Sequence, residues 1–452
     1  MNKLSREKHQ PKYNGQELME YIASAKFEDL PDEVVTRAKH IVMDAVACML
    51  SGRKTRQLFD ITWDYMAPNG DIAPVGCDFK TTPAMAAFFN TCHAQTHDFN
   101  DGLNNSGMRG GAYHPGRVVV SAALAVAEKV HASGKDLLLA VVLGIEAAAR
   151  MRSPKHCSLI ADCYSVAVTA AKLMGGSAEQ IRSACSLASF LCMVDEMKEN
   201  GAGWKSEKGH KSAGPTMNSM KYAYLCRNSL EATELAMQGY EGAGLYDSVG
   251  ASSRYATLGL GKTFECMDMY FKPWPCCRKT QGALEAALTL RNEYGVKPED
   301  VESVRVFYQM GAMYVNSPFD ANTDVNYNGQ FSIQYIITCA FLDGNLELRH
   351  FRWPDRRAPE QYVEFAKKIT AIADNGLDGH NAIAPNHNIV EVDLKNGETL
   401  SLYCEHPLGA EPNPMSEEQR IAKLRMCAED MTEVEKDRLV NWILSLDKLE
   451  SL

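Results

Sequence analysis

Just before and after residue 100 the chain sets two carboxylates and two imidazoles close together: His97-Asp98-Phe99-Asn100-Asp101-Gly102, a run rich in glycine and asparagine, then Tyr113-His114-Pro115-Gly116. The first group falls at the expected end of a helix and the second beyond a loop too polar to pack, which is where a scaffold usually carries its chemistry. Asp98, Asp101 and His114 are the residue types that move a proton at carbon beside a carboxylate, because a buried Asp or His can be tuned toward neutrality. The plainer alternative is that the two aspartates cap the helix end and its loop. A metal site is a further possibility, since His93 and His97 stand four apart on one helical face near Asp98 and Asp101. The zincin signature would need Glu at 94, where the chain has Ala94.

Three other stretches carry related chemistry. Pro154-Lys155-His156-Cys157 is a helix-breaking turn where His156 could face a pocket or solvent. Lys205, Lys208, His210 and Lys211 lie among glycines as the densest positive cluster, suited to clamp carboxylates unless it is a solvated loop. In Lys272-Pro273-Trp274-Pro275-Cys276-Cys277-Arg278 two prolines fix an extended path, and Lys272 and Arg278 flank two thiols. Nearby cations could activate those thiols; buried, inert cysteines are the simpler expectation.

These residues must be held by helices. Most of the first 265 residues show helical periodicity, with helices expected at 31–52, 117–131, 136–152, 165–174 and 178–191 and paired as stacked hairpins. The first opens on Pro31-Asp32-Glu33, proline and acids that suit the positive end of a helix dipole. After Tyr270 the pattern changes. Residues 301–308 alternate as a strand, and 388–403 reads as two strands around Asn396-Gly397, a strong hairpin signal. Helices are expected between them at 330–342 and 360–373, and again over 416–449. The fold class that follows is mainly α: a large all-α helical domain from residues 1–269 and 405–452, with a smaller α+β domain at 270–404.

Length and composition set the outer bounds. A chain of 452 residues with 45% hydrophobic and 23% charged residues exceeds one core and needs two domains. Its net charge of -10 argues against nucleic acid as a partner, while leaving room for a local basic pocket that binds a small anion. The 14 cysteines are scattered with no C-x-x-C pair, which reads as reduced thiols. The polar first fifteen residues offer no signal-peptide core, and the most apolar window, 137–149, is interrupted by Glu146. A cytoplasmic protein without membrane association is expected.

Taken jointly, these segments resemble the MmgE/PrpD family, whose members include 2-methylcitrate dehydratases, cis-aconitate decarboxylases and iminodisuccinate epimerases. The resemblance spans nearly the whole chain. It is carried by Leu30-Pro31-Asp32-Glu33-Val34-Val35 with Asp44-Ala45-Val46-Ala47-Cys48, by the 97–101 and 114–116 segments, and by 272–278. Gln330-Phe331-Ser332-Ile333-Gln334-Tyr335, Pro407-Leu408-Gly409-Ala410 and Pro414-Met415-Ser416 add to it. The resemblance implies a helical domain with an α+β lid, a homodimer, and catalysis without metal or organic cofactor. It implies catalytic roles for Asp98, His114, His156, Lys208 and Tyr314, and substrate binding by Lys211, Lys272, Cys277 and Arg278. His156 precedes Lys172 by the family's spacing, and Lys208 and Lys211 compete for one lysine role. Departures fall at Gly102, where the decarboxylases have threonine, at Cys277, where they have histidine, and at Gln281, where many members carry histidine.

The implied activity is a 2-methylcitrate dehydratase-like lyase acting on a di- or tricarboxylic acid. An epimerase or isomerase of a substituted succinate shares its carbanion intermediate. A catalytically inactive polycarboxylate binder and a metal-dependent hydrolase using His93, His97 and Asp98 are the remaining readings.

Overall fold

The fold is seen in a computed structural model, which describes residues 15–54, 69–103, 114–151, 158–192, 215–242, 256–309, 312, 315–374 and 388–452. It is mainly α. Helices α1 (Gly15–Ser24), α2 (Asp32–Gly52), α3 (Pro83–Gln95), α4 (Gly116–Val130), α5 (Gly134–Arg150), α6 (Ser158–Leu173), α7 (Ala178–Cys192) and α8 (Pro215–Met237) make up the helical part, joined from the far end of the chain by α12 (Glu417–Cys427) and α13 (Glu433–Leu444). Their ends follow local chemistry. Thr82 caps α3 ahead of Pro83, and Ser133 with Asp136 forms a capping box on α5. Ser416 with Gln419 and Thr432 with Glu435 do the same for α12 and α13.

The helices expected at 31–52, 117–131, 136–152 and 178–191 are present within a residue or two. Helix α6 begins earlier than expected, at Ser158, and α8 is an addition. Helix α5 is buried along nearly its whole length and packs against α4 and α6; α2 lies against α3, α12 and α13. Burial on all sides explains why 137–149 reads as the most apolar window.

A second hydrophobic core occupies residues 276–404. A four-stranded sheet of order β4-β3-β5-β6 is built from β3 (Val301–Gln309), β4 (Ile369–Asp374), β5 (Asn388–Leu394) and β6 (Thr399–Cys404), with β3 and β4 parallel and the other pairs antiparallel. Helices α9 (Arg278–Asn292) and α10 (Ile333–Asp343) pack on it, with α11 (Glu360–Ala366) against α10. Val304 and Val306 of β3 and Val390 and Val392 of β5 face the core, as their alternation predicts. Asn396-Gly397 turns β5 into β6, with Gly397 at a φ of +88° that favours glycine.

Two expectations are corrected. The helix expected over 360–373 stops at Ala366, and Ile369–Asp374 is instead strand β4; its pairing with β3 overrides a weak helical pattern. The helical part is also not purely α, since β1 (Gly102–Leu103) pairs antiparallel with β2 (Met269–Tyr270), too short a contact to leave a period in the sequence.

Glu146 is buried on α5 beside Arg150, one turn on. Arg150 Nε lies 2.7 Å from the Glu146 carboxylate, while its other nitrogens donate to the carbonyls of Leu258 at 2.8 Å and Thr263 at 3.0 Å. The second Glu146 oxygen accepts the Glu265 amide. Burial pushes the Glu146 carboxyl up to about 7 against the pull of Arg150. The charge that interrupts the apolar window therefore fastens the segment leading into β2. No helix of the described residues is long and apolar enough to cross a membrane. Replacing Arg150 by Leu strands the Glu146 carboxylate and two carbonyls, and is expected to cost about 3–5 kcal/mol. A urea-denaturation midpoint unchanged from the parent protein would contradict this account.

Candidate active site

Helix α3 ends at Gln95, and just beyond its Thr96 cap Asp98 adopts a left-handed φ of +45°. That conformation costs a residue with a Cβ about 1–2 kcal/mol and is best tolerated by Asn and Asp. The strain is held by ties on every side. Lys272 Nζ donates to the Asp98 carbonyl and lies 3.2 Å from its carboxylate. Lys423 Nζ donates to the next carbonyl, that of Phe99, at 2.8 Å. The Asp101 amide donates to Asp44 Oδ2 at 2.9 Å, and the Asp101 carbonyl accepts a hydrogen bond from His114 Nδ1. Four residues from four distant stretches thus set the path of 98–101.

Lys272 is buried, reached through β2 and the turn that follows. Burial acts to lower its ammonium, yet Asp98, with Tyr270 and Cys277, holds it above the ordinary lysine value, so it stays charged. Arg278, at the start of α9, sits over the Tyr270 ring with its guanidinium carbon 3.6 Å from the centroid. The His114 ring meets Tyr270 edge to face at 6.3 Å. Burial, then the charges of Lys272 and Arg117, hold the His114 imidazole well below its ordinary value, with Asp98 opposing. Because a carbonyl only accepts, the proton of this neutral ring is on Nδ1 and the lone pair on Nε2. The structure therefore brings Asp98, His114, Lys272 and Arg278 together with Tyr270. His156, Lys208, Lys211 and Tyr314 lie outside the described residues.

Other sequence candidates are tied into the surrounding backbone. The Cys277 amide donates to the Gln330 carbonyl at 3.0 Å, and the Gln330 side chain reaches the Thr96 carbonyl at 3.1 Å, linking the 272–278 turn to the end of α3. Gln281 donates to the carbonyls of Trp274 and Cys276 and so locks that turn. Burial pushes the Cys276 thiol up to about 12, which keeps it inert. Lys172 donates to the Ala23 and Ala25 carbonyls and anchors the end of α1. His93 and His97 are buried, their imidazoles held down to about 3 by burial. Among the described residues no group of three His, Cys, Asp or Glu side chains is arranged to hold a metal ion. Asp101 is buried against Gly116 at the start of α4, and burial, then Asp44, pushes its carboxyl well above the usual range.

Sequence reasoning singled out neither Lys423 nor Arg117. Lys423 Nζ sits 2.6 Å from Asp44 Oδ1 and 3.0 Å from the Lys272 carbonyl, besides capping Phe99. Arg117 Nη2 lies 3.5 Å from Asp162 Oδ2, and the guanidinium stacks 3.5 Å above the Tyr222 ring. The one signal for Lys423 is a lysine on an inward position of a helix, and it is no stronger there than a snorkelling side chain would give.

The MmgE/PrpD N-terminal domain matches residues 16–248, and the MmgE/PrpD C-terminal domain matches residues 274–447. A cis-aconitate decarboxylase of Aspergillus terreus is 22% identical, with 96% of this chain and 94% of the relative covered. Cis-aconitate decarboxylases of Mus musculus and Homo sapiens are 25% and 24% identical, covering 95% of this chain and 89% and 91% of their own lengths. The chain belongs to the MmgE/PrpD family.

Removing Lys423 leaves Asp44 buried without its cation. Lys423→Met is expected to cost about 3–5 kcal/mol, and the pair Asp44→Asn with Lys423→Met to recover part of that loss. Urea denaturation of the three variants measures it, and simple additivity of the two single effects would contradict the coupling.

Proposed function

We propose that this protein is a cofactor-independent lyase that acts on a di- or tricarboxylic acid through a carbanion beside a carboxylate. The observation that carries the reading is the buried cluster in which a charged Lys272, oriented by Asp98, stands with Arg278 and a neutral His114. Lysine and arginine suit the carboxylates of the substrate. His114 Nε2, with Nδ1 fixed by the Asp101 carbonyl, suits a base that takes a proton from carbon. The electron pair left behind needs fixed positive charge, and one such contact contributes ~3 kcal/mol at the transition state. A neighbouring hydroxyl, protonated by an acid of the site as its bond breaks, leaves as water, and the electron pair on carbon becomes the new double bond. In a decarboxylation the bond to a carboxylate breaks instead, carbon dioxide leaves, and the electron pair of that broken bond takes a proton from an acid of the site.

The relatives are cis-aconitate decarboxylases, which supports a lyase on a small polycarboxylate; dehydration, as in the methylcitrate dehydratases, passes through the same kind of carbanion. In this reading His156, Lys208 and Tyr314 complete the proton-handling groups, and Lys211 and Cys277 the substrate contacts. Residues 270–404 form a lid on a helical body made of 1–269 and 405–452, and the enzyme works as a cytoplasmic homodimer.

Proton NMR in deuterated water with citrate, methylcitrate, aconitate and iminodisuccinate tests the reaction. A lyase changes unsaturation, an epimerase exchanges the α-hydrogen without loss of mass, and binding without turnover marks an inactive relative. His114→Ala is expected to lower kcat about 10²-fold or more. Since the folded-state value of His114 is depressed, its base form survives as pH falls below the ordinary imidazole value of about 6.5. The acid limb of kcat/KM is therefore expected below that pH, and a limb at or above it would remove His114 as the base.

A further inference from the structure

The phenol of Tyr270 is buried, 3% exposed, and among the described residues its hydroxyl has no hydrogen-bond partner. Such groups are rare in folded proteins, and each weakens the fold that holds it. Its placement is tightly determined. Tyr270 pairs with Gly102 across the two-residue sheet, and a Cβ at position 102 would fall on the phenol hydroxyl itself. Glycine at 102 is thus what leaves room for the hydroxyl. The ring is clamped by the Arg278 guanidinium on one face and met by the His114 edge, and the charges of Arg278, Lys272 and Asp98 all act on the phenol. A donor that nothing among the described residues satisfies is therefore carried by a ring that Arg278 and His114 flank.

We infer that Tyr270 is a specificity-determining residue, whose hydroxyl donates a hydrogen bond to a carboxylate of the polycarboxylate that Lys272 and Arg278 hold. The inference rests on the reading of the site as a polycarboxylate site. Burial, partly opposed by Arg278 and Lys272, raises the phenol above its ordinary value, so it remains a protonated donor at neutral pH. Gly102 and Tyr270 act as a pair: one supplies the hydroxyl and the other its space.

Tyr270→Phe keeps the ring, the Arg278 stack and the fit against Gly102, and removes the donor alone. Calorimetry with citrate, tricarballylate and cis-aconitate is expected to show dissociation constants raised about tenfold for those acids that the parent protein binds. The thermal midpoint of the ligand-free variant is expected to equal or exceed that of the parent, because a buried hydroxyl without a partner has been removed. An unchanged dissociation constant would show that the hydroxyl does not meet the ligand. Affinity and thermal midpoint falling together would make Tyr270 a structural donor. If the parent protein binds none of the three acids, the polycarboxylate reading fails and this inference fails with it.

Discussion

The ammonium of Lys423 is the interaction on which the rest of this structure turns. It neutralises Asp44 on α2, caps the carbonyl of Phe99 and caps that of Lys272, three groups from three parts of the chain. Burial acts to lower this lysine, and Asp44 outweighs the effect, so the cation stays charged inside the protein. The Phe99 ring lies 3.8 Å from Nζ and closes the remaining side. A buried pair of this kind is poor value as stabilisation, since desolvation offsets much of the attraction. Its effect is geometric: Asp98 and Lys272 cannot shift independently while the two carbonyls beside them share one donor.

The same logic runs through the neighbouring groups. A left-handed Asp98 is strained, and the strain persists because its carbonyl and carboxylate are both engaged by Lys272. Gly409, at a φ of +91°, lies so close to the Phe271 carbonyl that no side chain would fit, which seats the 407–410 turn directly beside Lys272. His114 is neutral first because it is buried and then because Lys272 nearby is charged, and that cation is itself held by Asp98. Opposite protonation states are thereby fixed by one arrangement, as proton transfer requires of its partners.

Much of this was legible in the residues. The polar run at 97–116, the Lys-Pro-Trp-Pro-Cys-Cys-Arg segment and the hairpin at Asn396-Gly397 announce themselves by composition and spacing. Helices buried on one face or all round carry a clear period, which is why α2, α4, α5 and α7 were expected close to where they stand. Strand β4 was not, because its identity comes from pairing with β3 and six residues hold too little pattern to show it. Lys423 and Tyr270 were invisible for a related reason. A lysine on a late helix and a tyrosine ahead of a proline turn acquire meaning from contacts with residues more than a hundred positions away. Gly102, read from sequence as a departure from the family, gains a physical cause once Tyr270 is seen to occupy its side-chain space.

The Lys423 amine and the Phe99 carbonyl it grips are separated by 324 positions along the polypeptide. During synthesis, Asp44 and the strained corner at residue 98 therefore emerge long before their counter-ion exists, and wait in an unfinished interior. A chain interrupted short of α12 carries Asp44 without its cation, and a corner at 98–101 that lacks one of its four ties. Competence is consequently conferred by a helix made long after the segments it braces, so the working centre depends on α12 having been synthesised and packed.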